Sequence, residues 1–152
     1  MTLRMEPVVM EGKGVRLEPL SQIHAQGLYN RGRAAPDWAY MPRSCFIDLA
    51  DTRHWIDEAL ETPAQLPFAI VESGKSKAVG STRYLNVRSG HRSVEIGWTW
   101  LGQEWQRTGI NTEVKRLLLT HAFERLGCVR VEFKTDARNA RSQLALERIG
   151  AT

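Results

Sequence analysis

The sequence predicts an α+β domain of three layers (α/β/α), a mixed central sheet flanked by helices. Three observations carry this. Residues 93–101 alternate apolar and polar in the period of a strand. Residues 109–126 bring Ile110, Val114, Leu117, Leu118 and Ala122 to one side at helical spacing. Around these two, the element order reads β-α-α-β-β-β-α-β-α, antiparallel in the middle with a β-α-β crossover near the end. At 152 residues the chain has the length of one domain, taken as 1–152. That size buries a sizeable core without a disulfide or metal staple.

Residues 15–20 alternate and form the first strand, and Ser21 is placed to cap a helix over 22–30. An irregular stretch, 31–50, follows. It contains Pro36 and Pro42 and is rich in large residues, with Trp38, Tyr40, Met41 and Phe46. Such a loop either covers core or carries binding function. Asp51 opens a helix to Glu61, with Trp55, Ile56, Ala59 and Leu60 on its buried side. Residues 66–72 and 78–87 make a hairpin about the turn at 73–76. A second turn at 88–90 leads to the strand 93–101, where Val94, Ile96, Trp98 and Trp100 share one face and Glu95, Gly97 and Thr99 the other. Gly127 ends the long helix. Residues 129–135 return as a strand, and 139–149 form the last helix, with Leu144, Ala145 and Ile149 inward.

Composition excludes several classes. Hydrophobic residues make up 42% and charged residues 25%, which is globular rather than disordered. No apolar run is long enough to span a bilayer, and the N-terminal residues lack a signal-peptide core, so the expectation is a cytoplasmic protein with no membrane partner. The net charge of +4 is scattered. It suits an anionic ligand bearing phosphates, and without a basic helix or an aromatic RNA-binding signature no nucleic acid is expected. Cys45 and Cys128 read as reduced, buried thiols. The histidines His24, His54, His91 and His121 show no metal-ligand spacing, so no metal is expected.

The most informative segment runs Trp105-Gln106-Arg107-Thr108-Gly109-Ile110-Asn111-Thr112, between a strand and the strongest helix. A helix start presents unpaired N–H groups and the positive end of the dipole. A close turn at Gly109 would wrap a pyrophosphate there, Arg107 adding charge and Thr108, Asn111 and Thr112 adding hydrogen bonds. The bland alternative is a simple turn with Asn111 or Thr112 as the cap. Gly74-Lys75-Ser76 is not a P-loop, because the required preceding glycine position holds Ala69 and no helix follows. A second segment, Lys134 to Ser142, runs from a strand end into a helix start. Asp136 or Asn139 caps it, or Asn139 and Ser142 face a ligand between adjacent strands.

Together these segments resemble the GNAT acetyltransferase superfamily, and more narrowly its ribosomal-protein N-terminal acetyltransferase (RimJ/RimL-type) branch. The family motif is Gln/Arg-x-x-Gly-x-Gly/Ala. Gln106 and Gly109 match it, and Asn111 stands where Gly or Ala is usual. The Glu95-Ile96-Gly97-Trp98 strand, the Pro36-to-Pro42 loop and the Gly80-to-Tyr84 strand are also similar, and the element order agrees over 15–152. Members of the family continue into two more strands, whereas this sequence stops at Thr152. The expectation is therefore that the C-terminal strands are missing, through truncation or supply by a partner.

The resemblance implies acetyl-coenzyme A as donor and a primary amine as acceptor, joined in a ternary complex. It implies that strand 93–101 parts from 129–135 to admit the pantetheine arm near Trp100 and Leu101. The turn of Gln106, Arg107, Thr108, Gly109, Ile110, Asn111 and Thr112 then holds pyrophosphate, and Asn139 the arm. Ser142 is the candidate for protonating the departing thiolate and Glu95 for accepting the amine proton. An α-amine, at about 7.7–8.0, needs less help than a lysine at about 10.4. Glu95 as a solvated residue or a partner of Arg83 or Arg92 is the bland alternative. Trp38, Tyr40, Tyr84 and Asn86 are candidate acceptor-pocket residues. A peptide N-terminus, a polyamine, a free amino acid and an antibiotic amine all stay open as acceptor. So does a non-catalytic coenzyme A or peptide-binding module of the same fold. The open edge of strand 129–135 invites a homodimer.

Overall fold

The structure, a computed structural model, describes residues 6–32, 45–75, 77–106 and 108–133. Its strands are β1 (Met10–Glu11), β2 (Val15–Pro19), β3 (Leu66–Glu72), β4 (Lys77–Arg88), β5 (Ser93–Leu101) and β6 (Arg130–Phe133). Its α-helices are α1 (Ala25–Arg31), α2 (Leu49–Glu61) and α3 (Ile110–Glu124). Among the described residues the six strands form one sheet in sequence order, antiparallel except for the parallel pair β5–β6. The crossover through α3 makes that last pair parallel. The expected final helix and the loop at 33–44 lie outside the described residues.

Two apolar clusters cover the two faces of the sheet. One joins Leu17, Phe68, Ile70, Val94, Ile96 and Leu101 to Val114, Leu118 and Ala122 of α3. The other joins Ala69, Val71 and Trp100 to Leu28 of α1 and to Trp55, Ile56 and Ala59 of α2. Each fully buried aliphatic side chain contributes about 1.5–3 kcal/mol relative to exposure.

Local chemistry corrects several expected details. α2 begins at Leu49 rather than Asp51, because Asp48 is its cap. The Asp48 carboxylate accepts from the Asp51 N–H at 2.7 Å, and the Asp51 carboxylate accepts from the Ile47 N–H at 3.0 Å. The two carboxylates cap reciprocally. Leu60 is half exposed rather than buried. Ser21 precedes a 3-10 turn, Gln22–His24, before α1, and its N–H donates to His24 Nδ1 at 3.1 Å. Cys128 is buried, but Cys45 is only half-buried.

The largest correction concerns β5. Arg83 pairs with Gly97 and Ser81 with Trp100, so Trp98 and Thr99 together oppose the single residue Thr82. This is a β-bulge, and Trp98 adopts φ +51° within it. One extra residue reverses the alternation. Val94, Ile96 and Leu101 face α3, whereas Trp100 faces α2. The expected common face of Val94, Ile96, Trp98 and Trp100 therefore breaks at Trp98.

Candidate active site

β5 pairs with β6 only from Ser93↔Arg130 to Ile96↔Phe133. Beyond Ile96, the β6-side edge of β5 has no strand partner among the described residues. The Gly102 N–H donates to the Val79 carbonyl on the β4 side at 2.8 Å. Strand alternation therefore turns the intervening Leu101 N–H to the open edge. Gly80 brings β4 close here, since a Cβ on it would lie 2.2 Å from the Trp100 carbonyl oxygen. The Trp100 side chain is buried, in edge contact with Phe46 at 5.9 Å. The Trp100 carbonyl thus faces Gly80 on β4 and its side chain faces α2, so of the two expected edge residues it is Leu101 whose backbone turns to the open edge.

The open edge runs into the turn before α3. Gln106 Nε2 donates to the Leu101 carbonyl at 3.0 Å and ties the turn to the strand end. Thr108 Oγ1 donates to the Trp105 carbonyl at 2.5 Å. Trp105 Nε1 donates to the Glu72 carboxylate, and Arg31 lies 5.3 Å over the Trp105 ring. Gly109, not Asn111 or Thr112, is the helix cap, at φ +86°. A left-handed residue there is favourable only for glycine among common residues. The first helical bond runs from the Glu113 N–H to the Gly109 carbonyl at 3.1 Å. The N–H groups of Ile110, Asn111 and Thr112 precede it and point out of the helix start. A Cβ at Gly109 would meet nothing within 4 Å, so the space before these donors is open. The cradle fits a pyrophosphate.

Two of the carboxylates near this end, Glu113 and Glu72, are ion-paired. Glu113 receives Arg116 at 2.7 Å and the Lys13 N–H at 2.8 Å, which together bring its carboxyl down to about 2. Glu72 pairs with Lys75 at 2.8 Å, which lowers its carboxyl too.

At the other end of β5, Glu95 is buried, 6% exposed, and accepts from Asn86 Nδ2 at 2.9 Å. It is therefore not a solvated strand residue. The structure brings together two expected site residues, Glu95 and Asn86. It places Tyr84 elsewhere. Tyr84 is fully buried, its hydroxyl donates to the Leu118 carbonyl at 2.5 Å, and its ring stacks on His121 at 6.3 Å. Burial pushes its phenol up. Among the described residues Tyr84 packs in the core. Trp38, Tyr40, Arg107, Asn139 and Ser142 lie outside the described residues.

Two buried cations flank the bulge, and neither is among the expected site residues. Arg83, 4% exposed, lies 4.6 Å from the Trp98 ring and 5.4 Å from the Trp55 ring, and its Nη1 donates to Gln65 Oε1 at 2.8 Å. Burial brings it down to about 10. On the other face, Lys115 of α3 donates from Nζ to Thr99 Oγ1 at 2.9 Å, and the Thr99 and Thr82 hydroxyls share a hydrogen bond of 2.8 Å. The sequence carries only a weak signal for Lys115. It lies four residues after Asn111 and three before Leu118, on the same side of α3 as the apolar stripe.

Among the described residues no group of His, Cys, Asp and Glu is arranged to hold a metal ion, and no helix is long and apolar enough to cross a membrane.

The chain matches the family model described as "Acetyltransferase (GNAT) domain" over residues 15–152. It is 38% identical over 65 residues to a Bacillus subtilis (strain 168) protein named "Putative ribosomal N-acetyltransferase YdaF". That match spans 43% of this chain and only 35% of the curated relative's length. Among solved structures, a GCN5-related N-acetyltransferase from Brucella melitensis superposes with a TM-score of 0.91 at 27% identity, covering 99% of this chain and 71% of that one. A structure described as "putative acetyltransferase from T. thermophilus" gives a TM-score of 0.88 at 33% identity, covering 98% of this chain and 78% of that one.

Proposed function

Because the chain belongs to the GNAT acetyltransferase family, we propose that it moves an acetyl group from acetyl-coenzyme A to a primary amine by direct attack in a ternary complex. The supporting observation is that the C-terminal end of β5, tied by Gln106 to the turn, leads directly into the Gly109-capped start of α3. Bound acetyl-coenzyme A supplies the thioester whose carbonyl carbon the amine attacks. The N–H groups of Ile110, Asn111 and Thr112 hold its pyrophosphate, with Arg107 adding charge. The β5 edge at Leu101 pairs with the pantetheine amides, and a backbone N–H of this edge polarises the thioester oxygen. Asn139 steadies the arm and Ser142 returns a proton to sulfur. Glu95, oriented by Asn86, takes the proton that the amine loses, directly or through water.

The acceptor is a peptide N-terminus or a small-molecule amine. The name of the curated relative, a ribosomal N-acetyltransferase, supports the former. The test is release of free coenzyme A thiol from acetyl-coenzyme A in the presence of N-terminal peptides, polyamines, amino acids and antibiotic amines. Amine-dependent release is expected. Binding of acetyl-coenzyme A without release by any amine would reduce the domain to a binding module.

A further inference from the structure

Arg83 is a buried cation on the same face of the sheet as Glu95. It is 4% exposed, and the ring of Trp55 beside it marks this as the face that α2 covers. Across the β4–β5 ladder Arg83 pairs with Gly97 and Leu85 with Glu95. Arg83 and Glu95 are therefore diagonal neighbours, about 7–8 Å apart along the sheet and within reach of one small molecule. The residue between them has no side chain. A Cβ at Gly97 would lie 3.5 Å from Glu95 Oε2, so the carboxylate leans along β5 toward the residue that Arg83 opposes. Gly97 and Trp98 are only half-buried, so the surface opens at this spot.

The Arg83 guanidinium is held in place but not satisfied. Its carbon lies 4.6 Å from the centre of the Trp98 ring and 5.4 Å from that of Trp55. Its Nη1 donates to Gln65 Oε1 at 2.8 Å, and its Nε is buried without a hydrogen-bond partner. A guanidinium carries five N–H donors, and Gln65 takes one. The indole faces answer its charge but leave the remaining donors to oxygen acceptors. Among the described residues no carboxylate pairs with it. Two rings and an amide thus hold a planar fork whose geometry matches a carboxylate.

We propose that Arg83 binds the carboxylate of an acceptor whose amine and carboxylate lie a few bonds apart, as in an amino acid or an acidic N-terminal residue. This rests on the transfer reading, in which Glu95 takes the amine proton, and it narrows the acceptor class. A carboxylate held at Arg83 brings the amine over Gly97 and beside Glu95. The cation then meets the acceptor's anionic group and the buried carboxylate meets its ammonium before the proton leaves. Any side chain at Gly97 would occupy that place. A polyamine would set a second ammonium against Arg83, and that like-charge contact disfavours it.

The test measures coenzyme A release from acetyl-coenzyme A with matched acceptors. These are L-amino acids and their amides, C-terminally amidated peptides beginning with Asp or with Asn, and polyamines. A nearby carboxylate makes an amine more basic, so a preference for the acid cannot arise from a larger neutral fraction of amine. Wild type is expected to favour a carboxylate-bearing acceptor over its neutral match by at least about tenfold in kcat/KM, through KM. Amino acid against amide, and Asp against Asn, tell which source supplies the carboxylate. Folded Arg83→Met is expected to raise KM for that acceptor at least about tenfold and bring the acid-to-neutral ratio to about one, with affinity for acetyl-coenzyme A unchanged. Wild type that uses both neutral matches, or polyamines, as well as the acids overturns the proposal, whether or not the variant folds. So does an acid preference that persists in folded Arg83→Met. Acetyl-coenzyme A that binds but is consumed with no amine fails the transfer reading and this inference with it, a different result from turnover without a carboxylate preference.

Discussion

Asn86 Nδ2 donates to Glu95 Oε1 at 2.9 Å, joining a left-handed residue of β4, at φ +49°, to a buried carboxylate of β5. Asparagine tolerates that conformation better than most residues. The backbone turn and the amide together aim the carboxylate. Glu95→Gln keeps the shape and removes the proposed base. It is expected to lower kcat on the order of a hundredfold with little change in affinity for acetyl-coenzyme A. Steady-state kinetics beside calorimetry check this. An unchanged kcat would leave Glu95 a packing residue.

Gly109→Val should keep α3 and lose the coenzyme. The space around a Cβ is open, so the cost comes from φ +86°, which a β-branched residue resists. Strain of about 1–3 kcal/mol is relieved by rotating the turn, which turns the first N–H groups of α3 away. Circular dichroism is expected to stay native while affinity for acetyl-coenzyme A falls at least about tenfold, the equivalent of 1.4 kcal/mol. Gly109→Asn should fall less, since asparagine visits the left-handed region.

Acid should loosen the same end of α3. The Arg116 and Lys13 contacts depress the Glu113 carboxyl to about 2. A depressed acid contributes stability that is present above its unfolded value, near 4.3, and lost as pH falls through the folded value. The window is therefore about pH 4.3 down to 2. Glu113→Gln should flatten the stability-against-pH curve in that window, read by denaturant titration. It should also cost about 1–2 kcal/mol at neutral pH by weakening charge-assisted bonds. An identical acid limb in both proteins would contradict the assignment.

Tyr84→Phe separates core from pocket. The lost hydroxyl bond to the Leu118 carbonyl should cost about 1 kcal/mol and lower the thermal midpoint. KM for the amine should not move. A raised KM at unchanged stability would return Tyr84 to the acceptor pocket.

Much of the fold is legible in the sequence because it rests on local periodicity. The bounds of 66–72 and 93–101 and the apolar stripe of α3 match the structure. The differences arise where partners distant in sequence decide. The face of Trp100 depends on the register of β5 against Thr82, which no alternation within β5 records. Tyr84 reads as a ligand-facing aromatic until α3 supplies its hydroxyl with the Leu118 carbonyl. Lys115 gives little sign of itself because a lysine amid leucines is ordinarily solvated, whereas here Thr99 and burial hold it inward. The Gly109 turn is legible because a glycine before a strong helix carries its meaning locally, although the glycine itself, rather than Asn111 or Thr112, is the cap.

The most direct test is calorimetric titration of the wild-type chain and folded Gly109→Val with acetyl-coenzyme A. The structure predicts one-to-one binding by wild type and a large loss of affinity in the variant. Absence of binding by folded wild type, or equal binding by both proteins, would contradict a coenzyme site built from the β5 edge and the start of α3.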